Sequence, residues 1–277
     1  MTKGKSKSVK LSPVGKMLNG ALKIYWQNIL KFIKMLLWSL VGFIPLVLLS
    51  LVAFLLQDIW HFTGAGLQLV LTILVTLSIL WLGYYGARVY LSLFLMIKNN
   101  FKKKTVIQFR ETRRLVWSYI GLIFLMIIFL FPFFLVAFAF FVSLNLLALA
   151  PLILIMLLLF ALILLAAGFT LVIFFGLAVF SLAFENLNSL AAIKRSIFLI
   201  KGYWWAVCGR ILFFGLVTWF FSLAISWPLA VAPEDSVFYP VWNMVVNLIQ
   251  ILIIPIYLLY MTGVYRELVK IKGTAKK

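Results

Sequence analysis

The sequence is poor in almost everything that catalysis or metal binding requires. It has a single cysteine, Cys208, which excludes an intrachain disulfide and a cysteine-based zinc site. Its single histidine, His61, excludes a histidine-rich metal centre. Acidic residues number only six, and the one adjacent pair, Glu234-Asp235, follows Pro233 in a polar stretch. General acid–base chemistry draws on titratable groups that converge on one substrate, which neighbours in a solvated loop do not do. His61 stands three residues after Asp58 and could complete a Ser-His-Asp set only if folding delivered a serine such as Ser236. A histidine at headgroup level beside Trp60 is the simpler reading. No Walker-type phosphate loop, His-Glu-x-x-His or Cys-x-x-Cys is present. No catalytic residue, metal ligand or cofactor is therefore expected, and the chain reads as a non-enzyme.

Charge of either sign is also scarce, at 11% of 277 residues, whereas 66% are hydrophobic and mean hydropathy is +1.18. Soluble domains carry about 25% charged residues. A chain this apolar has no water-facing surface sufficient to keep it dissolved, so its solvent is lipid. A spanning helix needs roughly 20 apolar residues. The long apolar runs lie at 33–56, 67–97, 203–229 and 239–264, and 115–184 is 70 residues without one charge. That last run is too long for one span and suits two, joined near Ser143 to Asn145. Six spans result.

The few charges are almost all positive, giving a net charge of +19. With no basic soluble module to carry it, nucleic acid is not the expected partner. In the six-span arrangement the Lys and Arg residues fall in four groups: eight up to Lys34, eight from Arg88 to Arg114, four from Lys194 to Arg210, and five from Arg266 onward, which accounts for all 25. The three opposite loops have none and carry Asp58, Glu234 and Asp235. The positive-inside rule then places both termini in the cytoplasm. The basic start leads into an amphipathic segment rather than a cleavable signal, so the first span is expected to act as an uncleaved anchor in the plasma membrane.

An amphipathic segment precedes each odd-numbered span. The first opens with Ser12-Pro13, an N-cap followed by proline at the first helical position. It sets Val14, Met17, Leu18, Ala21, Leu22 and Tyr25 on one face, with Lys16 and Lys23 off it. The second starts at Thr105, with Gln108 placed for a capping box, and sets Val106, Phe109 and Val116 against Arg110, Arg113 and Arg114. The third starts at Ser189 and sets Leu190, Ile193, Ile197 and Ile200 against Lys194, Arg195 and Lys201. The starts lie 92 and 84 residues apart. Each segment ends in aromatics suited to a membrane interface: Tyr25-Trp26, Trp117 with Tyr119, and Tyr203-Trp204-Trp205. The exits of the even spans also match, as Gly86-Ala-Arg-Val-Tyr90, Gly176-Leu-Ala-Val-Phe180 and, loosely, Gly263-Val-Tyr265. The predicted fold is an all-α six-span bundle with three cytoplasmic interfacial helices, in threefold repetition over about 13–100, 105–185 and 189–264. Basic tails, 1–12 (disordered) and 265–277, flank the membrane domain at 13–264.

Two stretches carry a family resemblance. Ser189-Leu-Ala-Ala-Ile-Lys-Arg-Ser-Ile-Phe-Leu-Ile-Lys-Gly-Tyr-Trp-Trp and Leu258-Leu-Tyr-Met-Thr-Gly-Val-Tyr-Arg-Glu-Leu-Val-Lys-Ile-Lys-Gly273 resemble the late linker and the ending of the glycerophosphodiester phosphodiesterase membrane-domain family and its uncharacterised relatives. The likeness covers the last third of the chain, and the remainder is similar in architecture. In that family the membrane part can precede a soluble phosphodiesterase domain. The sequence ends at Lys277 without one, so the enzymatic activity is not expected to carry over.

Three charges are expected near membrane depth, where they need a partner or water. Glu185 is expected to pair with Arg88 or Arg210 at the inner mouth of the bundle, with snorkelling of Arg88 to the headgroups as the plainer alternative. Pro45, Pro132 and Pro228 could break spans around a substrate, or be tolerated kinks. Gln68, Thr72 and Thr76 share one face of span two and, with Ser78, form the best polar set. The expected function is a non-enzymatic membrane module that engages anionic lipid or a membrane-protein partner through its Lys, Arg and aromatic residues. A small permease for an apolar or amphipathic solute is the alternative.

Overall fold

The computed structural model describes residues 11–56, 64–145, 151–233 and 235–274. His61, Asp58, Trp60, Glu234 and the basic tail before Leu11 lie outside them. Among the described residues there are helices and turns and no strand. The order is α1 (Val14–Leu37), α2 (Ser39–Phe54), α3 (Ala65–Lys98), α4 (Thr105–Glu111), a 3-10 turn (Thr112–Arg114), α5 (Val116–Asn145), α6 (Pro151–Glu185), α7 (Ser189–Ile200), α8 (Trp204–Val231) and α9 (Phe238–Thr274).

Six stretches are long and apolar enough to cross a membrane: Val14–Phe54, Ala65–Lys98, Val116–Val136, Leu159–Glu185, Trp204–Val231 and Phe238–Lys272. The chain is thus a multi-pass membrane protein of six spans, as its apolar runs require. Two boundaries differ from the sequence reading. The first amphipathic segment is not a helix of its own, because α1 runs through it without interruption and breaks only at Trp38. No proline in 14–37 removes a backbone donor, so the helix propagates through Asn19-Gly20 despite the turn preference of that pair. At the other end, α9 continues through Arg266, Lys270 and Lys272, which the sequence reads as a tail.

The chain divides into two compact units, one of Tyr25–Trp117 and one of Met1–Ile24 with Ser118–Lys277. Within the first, α3 is 34 residues long, or about 50 Å, well beyond a hydrocarbon core of about 30 Å. Its two parts are packed differently. Most side chains in 65–84 are exposed, whereas Tyr85, Ala87, Val89 and all of 91–97 are buried. The core of this unit therefore sits at the basic end of α3, under α4 and the buried face of α1 that carries Tyr25, Phe32 and Met35. The turn after α3 holds Asn100 (φ 48°) and Phe101 (φ 60°) in the left-handed region. Asparagine tolerates that conformation and phenylalanine does not. The ring of Phe32 meets Phe101 edge-on at 5.4 Å, and Lys31 Nζ donates to the Phe101 carbonyl at 3.1 Å.

The second unit repeats this division of labour. α6 is buried at Ile173, Phe175, Leu177, Ala178 and 180–183, and α9 at 258–262, Val264, Tyr265 and Leu268. The helix α7 lies against α6 with Ala192, Ser196, Leu199 and Ile200 buried, leaving Leu190 and Ile197 exposed. That differs from the expected apolar face, because tight packing on α6 selects the small residues Ala192 and Ser196.

Two glycines mark the closest approaches. A Cβ on Gly42 of α2 would stand 3.2 Å from Leu82 Cδ1 and 3.3 Å from Tyr85 Cβ on α3. A Cβ on Gly121 of α5 would stand 2.8 Å from Ser189 Oγ, the hydroxyl that donates to the Ser118 carbonyl at 2.7 Å. Gly42→Leu is expected to cost about 1–3 kcal/mol by overpacking. Gly121→Ala is expected to cost about 1 kcal/mol by expelling that hydroxyl from its bond, and Ser189→Ala in the same chain should abolish the penalty. Thermal unfolding in detergent, followed by tryptophan fluorescence, measures both. An equal cost of Gly121→Ala with and without Ser189 would contradict the geometry.

Candidate functional site at the basic helix ends

The polar chemistry of each unit collects at the Lys- and Arg-rich ends of its long helices. In the first unit, Arg88 of α3 reaches under α4. Its Nη2 donates to the Phe109 carbonyl at 3.0 Å and its Nε to Thr112 Oγ1 at 3.3 Å. The guanidinium lies 4.1 Å from the centre of the Phe109 ring. A lysine cannot reproduce this arrangement, which uses a planar fork stacked on a ring. Arg88 is thus the peg that seats α4. The acid here is Glu111, paired with Lys103 at 2.6 Å. Around it Lys102, Lys104, Arg110, Arg113 and Arg114 are exposed, and the side chains of these five have no partner among the described residues.

In the second unit Glu185, at the end of α6, does not pair with Arg210. Its Oε1 accepts from Arg195 Nε of α7 at 3.0 Å and from the Tyr265 hydroxyl of α9 at 2.6 Å. One carboxylate thus joins three helices. Arg195 comes within reach because the turn at 186–188 folds α7 back along α6, a placement that spacing in the sequence does not reveal. The expected pairing of Glu185 with Arg88 or Arg210 is corrected accordingly: Arg88 is engaged within its own unit, and Arg210 is engaged elsewhere in this one.

Arg210 is 8% exposed. Its Nη1 donates to the Ala206 carbonyl and its Nη2 to the Ser12 carbonyl, both at 2.8 Å. The Ser12 N–H in turn donates to Glu267 Oε2 of α9 at 2.9 Å. The backbone of Ser12, just before α1, is therefore held between a cation and an anion, its N–H on Glu267 and its carbonyl on Arg210. Close by, Lys272 Nζ donates to the Lys201 carbonyl at 2.8 Å and lies over the rings of Phe198 and Tyr203. These contacts fasten the turn between α7 and α8.

Of the cations read as headgroup contacts, Lys16, Lys23, Arg110, Arg113, Arg114, Lys194 and Lys201 are exposed, with side chains unpaired among the described residues. Arg195 is the exception, consumed by Glu185. The aromatics divide likewise. Trp26, Trp117 and Trp205 are 67%, 71% and 81% exposed. Tyr25 is buried on Phe32, and Tyr119, Tyr203 and Trp204 are half-buried. In the polar set of span two, Thr72 donates to the Gln68 carbonyl and Thr76 to the Thr72 carbonyl of their own helix. Sequence reasoning missed Glu111 and Glu267. Their scarcity was the available signal: an acid amid lysines and arginines has work to do there. No cluster of metal-ligating side chains occurs among the described residues. Neither a protein-family model nor a curated protein nor a solved structure matches this chain, so geometry alone carries the functional reading.

Proposed function

We propose that this chain is a non-enzymatic membrane module that engages anionic lipid headgroups at the cytoplasmic face of the plasma membrane, with both termini and every basic helix end cytoplasmic. The observation that carries it is the division among the cations. Internal acids and carbonyls take Arg88, Arg195, Arg210 and Lys272, while seven of the eight anticipated headgroup contacts stay exposed and unpaired. Exposed cations that do nothing for the fold are what an anionic surface requires, each contributing about 1 kcal/mol near such a surface.

Helix lengths support the placement. The scarcely buried stretches 65–84 of α3, 212–231 of α8 and 238–257 of α9 are each about 20 residues, or about 30 Å, the thickness of the hydrocarbon core. The buried basic ends then project into the headgroup layer, where Arg88 and Arg210 need no deep burial in lipid. Trp117, packed on Tyr84 at 6.2 Å, falls at that boundary. In this reading α4, α7 and the start of α1 are interfacial helices, each opening one of three repeats. The linker and exit stretches are signs of kinship with the glycerophosphodiester phosphodiesterase membrane-domain group. A membrane-protein partner could share the same face.

Purified protein in mixed micelles is expected to retain phosphatidylglycerol over phosphatidylcholine, and retention should fall steeply with salt. Liposomes reconstituted with it should show no selective solute flux. Flux without anionic-lipid preference would instead establish the permease alternative. Tag-accessibility mapping that put the two termini on opposite faces would also refute the proposal.

A further inference from the structure

We infer that the segment 102–114, and not α7, is the part of this surface that reads lipid, and that it selects headgroups carrying two phosphates. The inference rests on the lipid-engaging reading above and sharpens it. The two amphipathic linkers look alike in sequence, but the fold spends their charges differently. In α7, Arg195 is locked onto Glu185 at 3.0 Å. The following turn is held from below by Lys272 on the Lys201 carbonyl. Lys194 and Lys201 are left exposed, seven residues apart.

The segment 102–114 keeps its cations outward. Its acid, Glu111, is already neutralised by Lys103 at 2.6 Å. Its attachment to the unit uses Arg88 from α3, through the Phe109 carbonyl, the Phe109 ring and the Thr112 hydroxyl, so no arginine of the segment is needed to hold it. Gln108, Phe109 and Thr112 form the buried side, which leaves Arg110, Arg113 and Arg114 exposed. Arg110 lies in the last turn of α4, and Arg113 and Arg114 close the 3-10 turn that follows it, so three guanidinium groups fall within five consecutive residues. Three guanidinia so placed repel one another, and one phosphate relieves only part of that. Two linked phosphates bridge them, each held by paired N–H donors. The segment ends two residues before α5 enters its span and three before the exposed Trp117, so the phosphates it meets are those of membrane lipids.

The test uses the full-length protein in mixed micelles containing either diphosphatidylglycerol or phosphatidylglycerol at equal total charge, with bound lipid measured by mass spectrometry. Arg113→Gln with Arg114→Gln should lower the preference for the two-phosphate lipid by about tenfold. Lys194→Gln with Lys201→Gln should leave that preference unchanged while trimming both lipids alike. Arg113→Lys with Arg114→Lys, which keeps the charge and the fold, should retain phosphatidylglycerol and lose part of the preference. Equal losses from the arginine and lysine pairs, or a preference that neither pair moves, would overturn the inference. So would soluble pyrophosphate that displaces the bound two-phosphate lipid as effectively as added diphosphatidylglycerol does. Wild-type protein that retains neither anionic lipid would instead defeat the parent proposal.

Discussion

Glu267→Ala is expected to destabilise the second unit by about 3 kcal/mol, although Glu267 makes no direct ion pair among the described residues. Its carboxylate accepts the Ser12 N–H, and the Ser12 carbonyl accepts from Arg210. Removing it leaves a guanidinium that is 8% exposed bonded to carbonyls, with no acid contacting it among the described residues. Stranding a buried charge in this way costs about 3–5 kcal/mol in a closed ion pair. The lower end applies because Glu267 is half-buried and reaches Arg210 only through the backbone of Ser12. Arg210→Leu should cost a similar amount, since two charge-assisted bonds worth about 1.5–3 kcal/mol each disappear. The double variant Arg210→Leu/Glu267→Leu should recover part of the loss, because no buried charge remains and only the half-buried Ser12 N–H and carbonyl lose their partners. Thermal unfolding in detergent measures all three, and strictly additive effects would show that Ser12 couples no charges. Either single variant should also speed tryptic cleavage at Lys16, because Ser12, just before α1, is held by Glu267 on one side and Arg210 on the other.

The second large effect is expected at Glu185. Glu185→Ala should cost about 2–3 kcal/mol, the sum of two unequal losses. The Tyr265 hydroxyl is buried and donates to Glu185 at 2.6 Å, so leaving it unpaired costs about 1–2 kcal/mol. The bond from Arg195 is worth about 1 kcal/mol, since both side chains are near 30% exposed and solvent screens them. Glu185→Gln keeps an acceptor for Tyr265 and should lose only the second part. Tyr265→Phe made on the Glu185→Ala background should cost almost nothing further, because the two residues act as one contact. If Glu185→Gln proves as harmful as Glu185→Ala, charge and not the tyrosine bond dominates, and the apportionment is wrong. Both experiments separate stability from lipid engagement, since neither residue belongs to the exposed cationic set.

These residues also show where the sequence was legible. Six spans followed from counting, because a run such as 115–184 without a charge has no stable home but lipid, and the helical hydrogen bonds that satisfy its backbone are local. The amphipathic character of 105–114 and 189–200 was likewise visible in the 3.6-residue period. Partners were a different matter. Glu185 and Arg195 are ten residues apart and meet because the chain reverses at 186–188, whereas Ser12 meets Arg210 and Glu267 across most of the chain length. No periodicity encodes such meetings.

What the sequence determined on its own is how many times the chain crosses the membrane and where its positive charge gathers, since both depend on the transfer of individual side chains between water and lipid. What only the tertiary structure decided is which cations hold the protein together and which stay exposed and unpaired among the described residues. Arg195 and Arg113 sit in similar linkers and have the same chemistry. One has a carboxylate brought to it by a turn, and the other has its nearest acid already claimed by Lys103. Charge is a property of the residue, but its availability depends on what the fold places within about 3 Å of it.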